Sequence, residues 1–402
     1  MLDWRALSQA PASLRLTLLL GFLIALVALG IDSTVPTLPA LAHAFGTDAG
    51  AAQITLTGLF FGVACGQLVW GPFSDRLGRR AGLFAGLALV VAASLASVRA
   101  EGTTALAWLR FAQGFGLSCG PVIGRSIVRD LYSNEQAARL LSSMMIAFGL
   151  VPICAPIVGS TLLAGWGWQA VYWMHAVVAM ALLAAVIRTL PETAPLARAS
   201  PAPLAIASTF AALLRQREFL APFLVLLGVQ LGIIAFVTNS SLALIQGFGL
   251  TPFEYSLAFA GVMLGQITGA LASARLVTRH GIHFMLRSGA TLAAGAGITL
   301  AAMAWLGLRH WAAVVAPMAV YLFASSLVIP NATAAALSPF PRIAGSASSL
   351  MGSISFAIGA GLGAALGWLF DGSARPMATA IAVSATGAWL AMKLLRRGHA
   401  HG

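Results

Sequence analysis

Long apolar stretches recur along almost the whole chain, separated by short joints that carry charged, glycine or proline residues. A helix that crosses a bilayer needs about 20 apolar residues. The pattern predicts twelve such helices, the first to twelfth spans, at residues 16–38, 50–71, 81–98, 104–126, 139–163, 168–188, 219–241, 252–274, 286–306, 311–335, 344–367 and 376–395. Only 8% of the residues are charged, against about 25% in soluble proteins. We therefore expect an all-α membrane protein.

Basic residues are unevenly distributed between the joints. The net charge of +12 would suggest a nucleic-acid partner in a soluble protein, but in membrane proteins Lys and Arg accumulate in cytoplasmic loops. With the N-terminus placed inside, only Arg99, Arg309 and Arg375 of the 23 basic residues fall in outer joints, and Arg110 is the only mid-span cation. We expect both termini on the cytoplasmic side of the cytoplasmic (inner) membrane, a lipid bilayer around the chain and no nucleic-acid partner.

A proline-rich joint divides the spans into two groups of six. It predicts an N-terminal bundle at 1–190, a cytoplasmic linker at 191–217 and a C-terminal bundle at 218–402. The segment "GQLVWGPFSDRLGRR" (66–80) aligns with "GQITGALASARLVTR" (265–279), which follows the same span of the other half. Because each half has an even number of spans, the two halves are predicted to be parallel repeats, an architecture typical of secondary transporters.

The loop "GPFSDRLGRR" (71–80) between the second and third spans resembles the signature loop of the major facilitator superfamily. This resemblance implies a conformational latch, in which the loop acid pairs with a loop arginine and with an acid that ends the fourth span, and also closes against the start of the eleventh helix near Ala344. The matching residues here are Gly71, Asp75, Arg76, Gly78, Arg79, Arg80 and Asp130, with Arg79 as the arginine between the two acids. The two glycines suit close packing and a tight turn.

Other motifs resemble the drug:proton antiporters of that superfamily, specifically the bicyclomycin- and chloramphenicol-resistance branch (Bcr/CflA type). "IDSTVPTLP" (31–39) keeps the Asp-x-x-x-Pro-x-x-Pro pattern of this branch, although Ser33-Thr34 replaces its usual Met-Tyr. "PICAPIVG" resembles the antiporter motif of the fifth span, with Pro152, Pro156 and Gly159 expected to kink that helix. "LRFAQG" (109–114), "LPET" (190–193) and "IPNATAAAL" (329–337) agree with the same branch.

Asp32 is the only one of the eleven acidic residues that lies away from the ends of a predicted span, since the others fall in joints or at helix ends. An ionisable side chain inside a membrane is costly and marks a functional site by default. We expect Asp32 to bind and release the coupling proton. Arg110 lies at a matching depth on the fourth span, and we expect it to be the partner of Asp32. A purely structural ion pair is the alternative.

Polar and aromatic side chains within the spans are the candidates for contacts with a substrate. An amide inside a membrane must find a partner or line a wet cavity, and aromatic rings suit hydrophobic compounds. The predicted substrate-binding residues are Gln113, Asn239, Gln266, Asn331, Phe61, Phe236 and Tyr321. Helix packing and lipid contact are the competing roles for each of them.

These features together predict an exporter that exchanges small lipophilic drugs for protons by alternating access. A proton-coupled metabolite transporter remains an alternative, and a membrane receptor or enzyme on the same fold is a weaker one. The sequence has no Gly-Lys-Ser/Thr phosphate loop, so ATP is not expected as the energy source. We expect no enzymatic activity, no metal and no cofactor, a small-molecule substrate and protons as partners, and a monomer.

Overall fold

The computed structural model describes residues 14–132, 134–193 and 203–398, and within these ranges the regular structure is helical, without β-strands. The α-helices are α1 (Leu14–Asp32), α2 (Leu38–Ala44), α3 (Ala49–Leu77), α4 (Arg79–Ser97), α5 (Thr103–Leu117), α6 (Cys119–Leu131), α7 (Asn134–Trp166), α8 (Gln169–Thr189), α9 (Pro203–Arg215), α10 (Arg217–Ser241), α11 (Pro252–Trp305), α12 (Ala312–Leu337), α13 (Ala344–Trp368) and α14 (Arg375–Gly398). Two 3₁₀ turns (Val35–Thr37 and Pro341–Ile343) and a π-helical segment (Leu242–Gly247) complete them.

Nine helical segments in the described part of the chain are long and apolar enough to cross a membrane. One of them, α11, has 54 residues and a length of about 81 Å, far more than the roughly 30 Å of a hydrocarbon core. Gly281, with φ of 77°, breaks α11 into the predicted eighth and ninth spans. The fourth span is divided at Ser118 into α5 and α6, and α14 forms the twelfth. The predicted fold of twelve spans is confirmed.

The described chain groups into two compact units, and the segment Asp48–Gln53 belongs to the second of them. Each unit repeats one packing contact. In the first unit, a Cβ atom at Gly66 would lie 2.7 Å from the carbonyl oxygen of Phe115. In the second, a Cβ atom at Gly265 would lie 2.1 Å from the carbonyl oxygen of Ala319. The aligned glycines therefore allow equivalent helices to approach closely in both units.

The first span is interrupted, where the sequence predicted one continuous helix. Its first helix, α1, ends at Asp32, and a turn at Ser33 and Thr34 leads into the 3₁₀ segment Val35–Thr37 and then α2. Pro36 explains the break, because it has no backbone N–H to donate to the carbonyl group of Asp32 four residues earlier. Broken helices at membrane depth are typical of transporter binding sites.

Candidate functional site

Asp32 lies at the break in the first span and is buried, with 6% of its surface exposed. Within the described ranges its carboxyl group forms no ion pair, and no hydrogen bond to it is found. It also lies at the C-terminal end of α1, where the helix dipole disfavours a negative charge. The structure therefore offers this carboxyl group little to stabilise an ionised state, in agreement with a site whose charge is switched by a proton.

Arg110 on α5 is fully buried beside the same break. Its Nη2 atom donates to the carbonyl oxygen of Gly30 at 2.9 Å and to Oγ1 of Thr34 at 2.8 Å. The predicted ion pair with Asp32 is absent from the described contacts, because the guanidinium group bonds to neutral acceptors on either side of Asp32 in the sequence. Its Nε atom is buried and has no hydrogen-bond partner among the described residues.

Gln113 belongs to the same cluster and is saturated by it. Its Oε1 accepts from Nη1 of Arg110 at 2.5 Å, and its Nε2 lies 2.7 Å from Oγ of Ser94 and 3.2 Å from Nδ1 of His175. These contacts join α4, α5 and α8 through Gln113, and a substrate contact of Gln113 remains a prediction. Such saturation is the usual fate of buried amides.

His175 and Ser33 close the cluster on the side of the first span. Nε2 of His175 lies 2.8 Å from Oγ of Ser33, which also lies 2.6 Å from the carbonyl oxygen of Leu29. The ring of Tyr172 on the same helix lies 5.7 Å below the Arg110 guanidinium group. His175, Ser94 and Ser33 were not among the predicted site residues. The one available signal was the unusual Ser-Thr pair after Asp32.

The fifth span packs directly against the break. A Cβ atom at Gly159 would lie 2.0 Å from the carbonyl oxygen of Ser33, so only glycine allows this approach. Pro152 and Pro156 share the buried face of α7 with Gly159, and α7 continues through both prolines as one helix. The antiporter motif thus packs, through Gly159, against the first span at its interruption.

The predicted pairing around Arg79 is present in the first unit. Nε of Arg79 donates to Oδ2 of Asp130 at 2.8 Å, while Nη1 bonds to Asp75 and, at 2.9 Å, to Oγ of Ser74. One guanidinium group therefore connects α3, α4 and α6. Gly78 has φ of 98°, the left-handed conformation expected of a glycine turn.

Three other loop residues differ in their environments. A Cβ atom at Gly71 would have no neighbour nearer than 3.9 Å, so the predicted close packing at Gly71 is wrong. Nη2 of Arg80 donates to the carbonyl oxygen of Ile187 at 2.7 Å. Arg76 is exposed, and the structure gives it no ion pair within the described ranges.

Glu192, the acid of "LPET", makes an additional contact with the signature loop that was not predicted. Its carboxylate accepts from the backbone N–H groups of Arg79 at 2.8 Å and Arg80 at 3.2 Å. These are free N–H groups at the start of α4, where a carboxylate is favoured by the helix dipole. Glu192 therefore ties the end of the sixth span to the signature loop.

In the second unit, a run of polar side chains lies on α10 immediately before the π-helical segment. Nδ2 of Asn239 donates to the carbonyl oxygen of Ala235 at 3.2 Å and to Oγ1 of Thr238 at 2.9 Å, but Oδ1 has no partner in the described part of the chain. The hydroxyl groups of Ser241 on α10 and Ser355 on α13 are also buried and find no partner there. Unsatisfied buried groups need an explanation, and π-helical turns are frequent at functional sites.

The other predicted substrate residues that have described contacts make them with partners outside this polar run. Phe236 stacks on Phe259 at 5.7 Å, and Oη of Tyr321 donates to the carbonyl oxygen of Val229 at 3.1 Å, so both side chains pack within the second unit. Asn331 donates to Oγ of Ser273 at 3.1 Å. Gln266 is half-buried, whereas Phe61 is half exposed. A substrate role for these residues remains a prediction.

The family model of the Major Facilitator Superfamily matches residues 20–364. The chain belongs to this superfamily. Among its relatives, a bicyclomycin resistance protein homolog of Haemophilus influenzae is 30% identical, over 92% of this chain and 93% of the relative. Multidrug resistance protein D of Escherichia coli is 27% identical over 88% of each chain. The resemblance of this Major Facilitator Superfamily member to the drug-resistance branch is confirmed.

Solved structures support the same fold for this superfamily member. The human organic anion transporter MFSD10 (TETRAN) matches with a TM-score of 0.71, covering 96% of this chain and 100% of that chain. The sequence identity is only 19%, so this match concerns the fold alone. The chain is thus a multi-pass membrane transporter of a family that carries small molecules.

Proposed function

We propose that this chain exports small lipophilic drugs in exchange for protons, by alternating access of its two six-span units. The observation that carries the proposal is Asp32, a buried carboxyl group without a described ionic or hydrogen-bonding partner at the break in the first span. The drug-resistance names of two relatives support a drug as the substrate. The predominance of basic residues in one set of joints supports a cytoplasmic-membrane location with both termini inside, and a single chain suffices for the proposed cycle.

The proposed cycle exchanges the partners of Asp32. A proton from outside neutralises the carboxyl group, and Arg110 then stays on its neutral acceptors Gly30, Thr34 and Gln113. Release of the proton to the cytoplasm leaves a carboxylate that attracts the guanidinium group, because an opposite charge within about 4–6 Å favours the ionised form. The unused Nε donor of Arg110 is available for that contact.

The proposal places the polar contacts to the drug in the second unit. Oδ1 of Asn239 and the hydroxyl groups of Ser241 and Ser355 are buried acceptors without partners among the described residues. They fit compounds that carry N–H or O–H donors on an otherwise apolar body. Gln266, Asn331, Phe61, Phe236 and Tyr321 stay candidates for the remaining contacts.

The proposal is tested by measuring protons directly on the purified protein in detergent. A compound panel that begins with bicyclomycin is added in weakly buffered solution, and the pH is followed with an indicator dye. An antiporter in which drug and proton compete releases protons when the drug binds, and Asp32→Asn should release none. Proton uptake on binding would instead indicate a symporter, and binding without any proton change would contradict the proposed coupling.

A further inference from the structure

His175 connects the first, fourth and sixth spans at the coupling site, and nothing in the proposed cycle has used it so far. It is 3% exposed, with Ser33 on one ring nitrogen and Gln113 on the other. Tyr172 packs edge-on against the ring at 6.0 Å. A buried ionisable group within a membrane helix is a candidate for function.

The donors and acceptors around His175 determine which nitrogen carries the hydrogen atom. A guanidinium group only donates, so the Gln113 atom that faces Arg110 is the acceptor Oε1, and the NH₂ group faces His175. Nδ1 of His175 therefore accepts. Ser33 donates its hydroxyl hydrogen to the carbonyl oxygen of Leu29 and accepts from Nε2–H of His175. The cluster holds a neutral imidazole with its hydrogen on Nε2.

The side-chain amide of Gln113 links His175 to Arg110. His175 and Ser94 hold the NH₂ group of Gln113, which aims Oε1 at Nη1 of Arg110. The guanidinium group is thereby held on Gly30 and Thr34, which flank Asp32 in the sequence, and it has no described bond to Asp32 itself. Without an acceptor at the position of Nδ1, Ser94 alone holds the NH₂ group of Gln113, and the restraint on Arg110 is weakened.

We propose that His175 is a positioning residue for proton coupling, which through Gln113 keeps the Arg110 guanidinium group away from the Asp32 carboxyl group until the proton leaves. This inference rests on the proposed function and deepens it, since it explains how one arginine serves two states. The hydrogen bond between His175 and Ser33 has a secondary role in this proposal, because it does not link His175 to Arg110.

Few described side chains surround the break in the first span, so the proton affinity of Asp32 can be traced to particular groups. Arg110 approaches from α5, and His175 and Tyr172 approach from α8. The fifth span presents Gly159 there. Helix α6, the second part of the fourth span, contacts α1 away from the break, where Gly120 packs against the backbone of Leu23. Among the described side chains, Arg110 is therefore the charged group bound at the break, and its movement is expected to change the proton affinity of Asp32.

Two substitutions separate the two ring nitrogens of His175. In His175→Asn, the side-chain oxygen replaces Nδ1 and still accepts from Gln113. In His175→Gln, the amide nitrogen replaces Nε2 and still donates to Ser33, but the acceptor for Gln113 is lost. The infrared band of the protonated Asp32 carboxyl group, assigned by its absence from Asp32→Asn, is titrated in detergent for each protein.

His175→Gln should lower the midpoint of this titration by about one pH unit or more, since a freed Arg110 stabilises the carboxylate. His175→Asn should keep the wild-type midpoint. Gln113→Leu removes the same link and should reproduce the shift if His175→Gln does not fold. Equal midpoints in all folded variants, equal shifts in both His175 variants, or no band that depends on Asp32 would overturn the proposal. Because the titration needs no transport, a protein that titrates as expected but moves no drug would refute only the proposed function.

Discussion

Nε of Arg79 donates to Oδ2 of Asp130 at 2.8 Å, and this bond fastens the start of α4 to the end of α6. The same guanidinium group bonds to Asp75 and Ser74 on α3. Asp130 is largely buried, whereas Asp75 is more than a third exposed. The contact with Asp130 is therefore the stronger of the two ion pairs, since burial limits screening by water.

Arg79→Gln should destabilise the first unit. The substitution leaves the buried Asp130 carboxylate without a counter-charge, and removal of one partner of a buried pair costs about 3 kcal/mol or more. We expect a clear fall in the thermal unfolding temperature of the purified protein in detergent. Arg76→Gln is the matched control, because Arg76 is exposed and forms no ion pair in the described part of the chain. Equal effects of the two substitutions would contradict the assignment.

Glu192→Gln should weaken the start of α4 to a smaller extent. The carboxylate accepts two backbone N–H groups there, and loss of a capping side chain costs about 1 kcal/mol. Hydrogen exchange of the amides of Arg79 and Arg80 should accelerate. Glu101→Gln, a change at another exposed acid, should leave those amides unchanged, and protection that survives in Glu192→Gln would refute the capping role.

Asp75→Asn should shift the balance between the cytoplasm-closed and cytoplasm-open states. The family resemblance predicts that the Asp75 carboxylate closes against the start of the eleventh helix, and a carboxylate at a helix N-terminus contributes up to about 2 kcal/mol. A change of that size alters the populations by roughly tenfold or more. Labelling of a cysteine introduced at Ala344 should then become faster. Unchanged labelling together with unchanged transport would contradict the latch.

Asn239→Ala should raise the apparent KM for transported compounds that carry hydrogen-bond donors. Loss of one hydrogen bond of about 1 kcal/mol corresponds to about a fivefold increase, with little change in maximal rate. Ser240→Ala is the control on the adjacent residue, because the Ser240 hydroxyl already bonds to Oη of Tyr255 at 2.8 Å. A fall in rate without a change in KM would place Asn239 outside the drug site.

The sequence predicted the number of spans and the Arg79 pairing well, for identifiable reasons. Hydrophobic length determines the spans, and the charged loop residues match a family motif at every position. The break at Asp32 was also visible in principle, because Pro36 removes the hydrogen bond that would continue the helix. The continuous first helix was therefore an error of interpretation rather than a lack of signal.

The absence of an Asp32–Arg110 ion pair could not be predicted in the same way. Hydropathy gives the depth of a residue in the membrane but not the direction in which its side chain lies around the helix. Neutral acceptors on Gly30, Thr34 and Gln113 compete with the carboxyl group at that depth. The role of His175 depends on which helices meet in three dimensions, and a single histidine in an apolar stretch carries no such information.

The central claim is that Asp32 couples drug export to the proton gradient, and transport in reconstituted vesicles tests it most directly. Wild-type and Asp32→Asn proteins are compared under imposed pH and voltage gradients, and exchange of labelled drug at equilibrium serves as the control for folding. We predict that the wild type moves the drug uphill in response to both gradients, with about one proton per turnover. Asp32→Asn should lose this uphill movement and retain exchange. Full pH-driven movement by Asp32→Asn, or wild-type efflux that ignores both gradients, would contradict the claim.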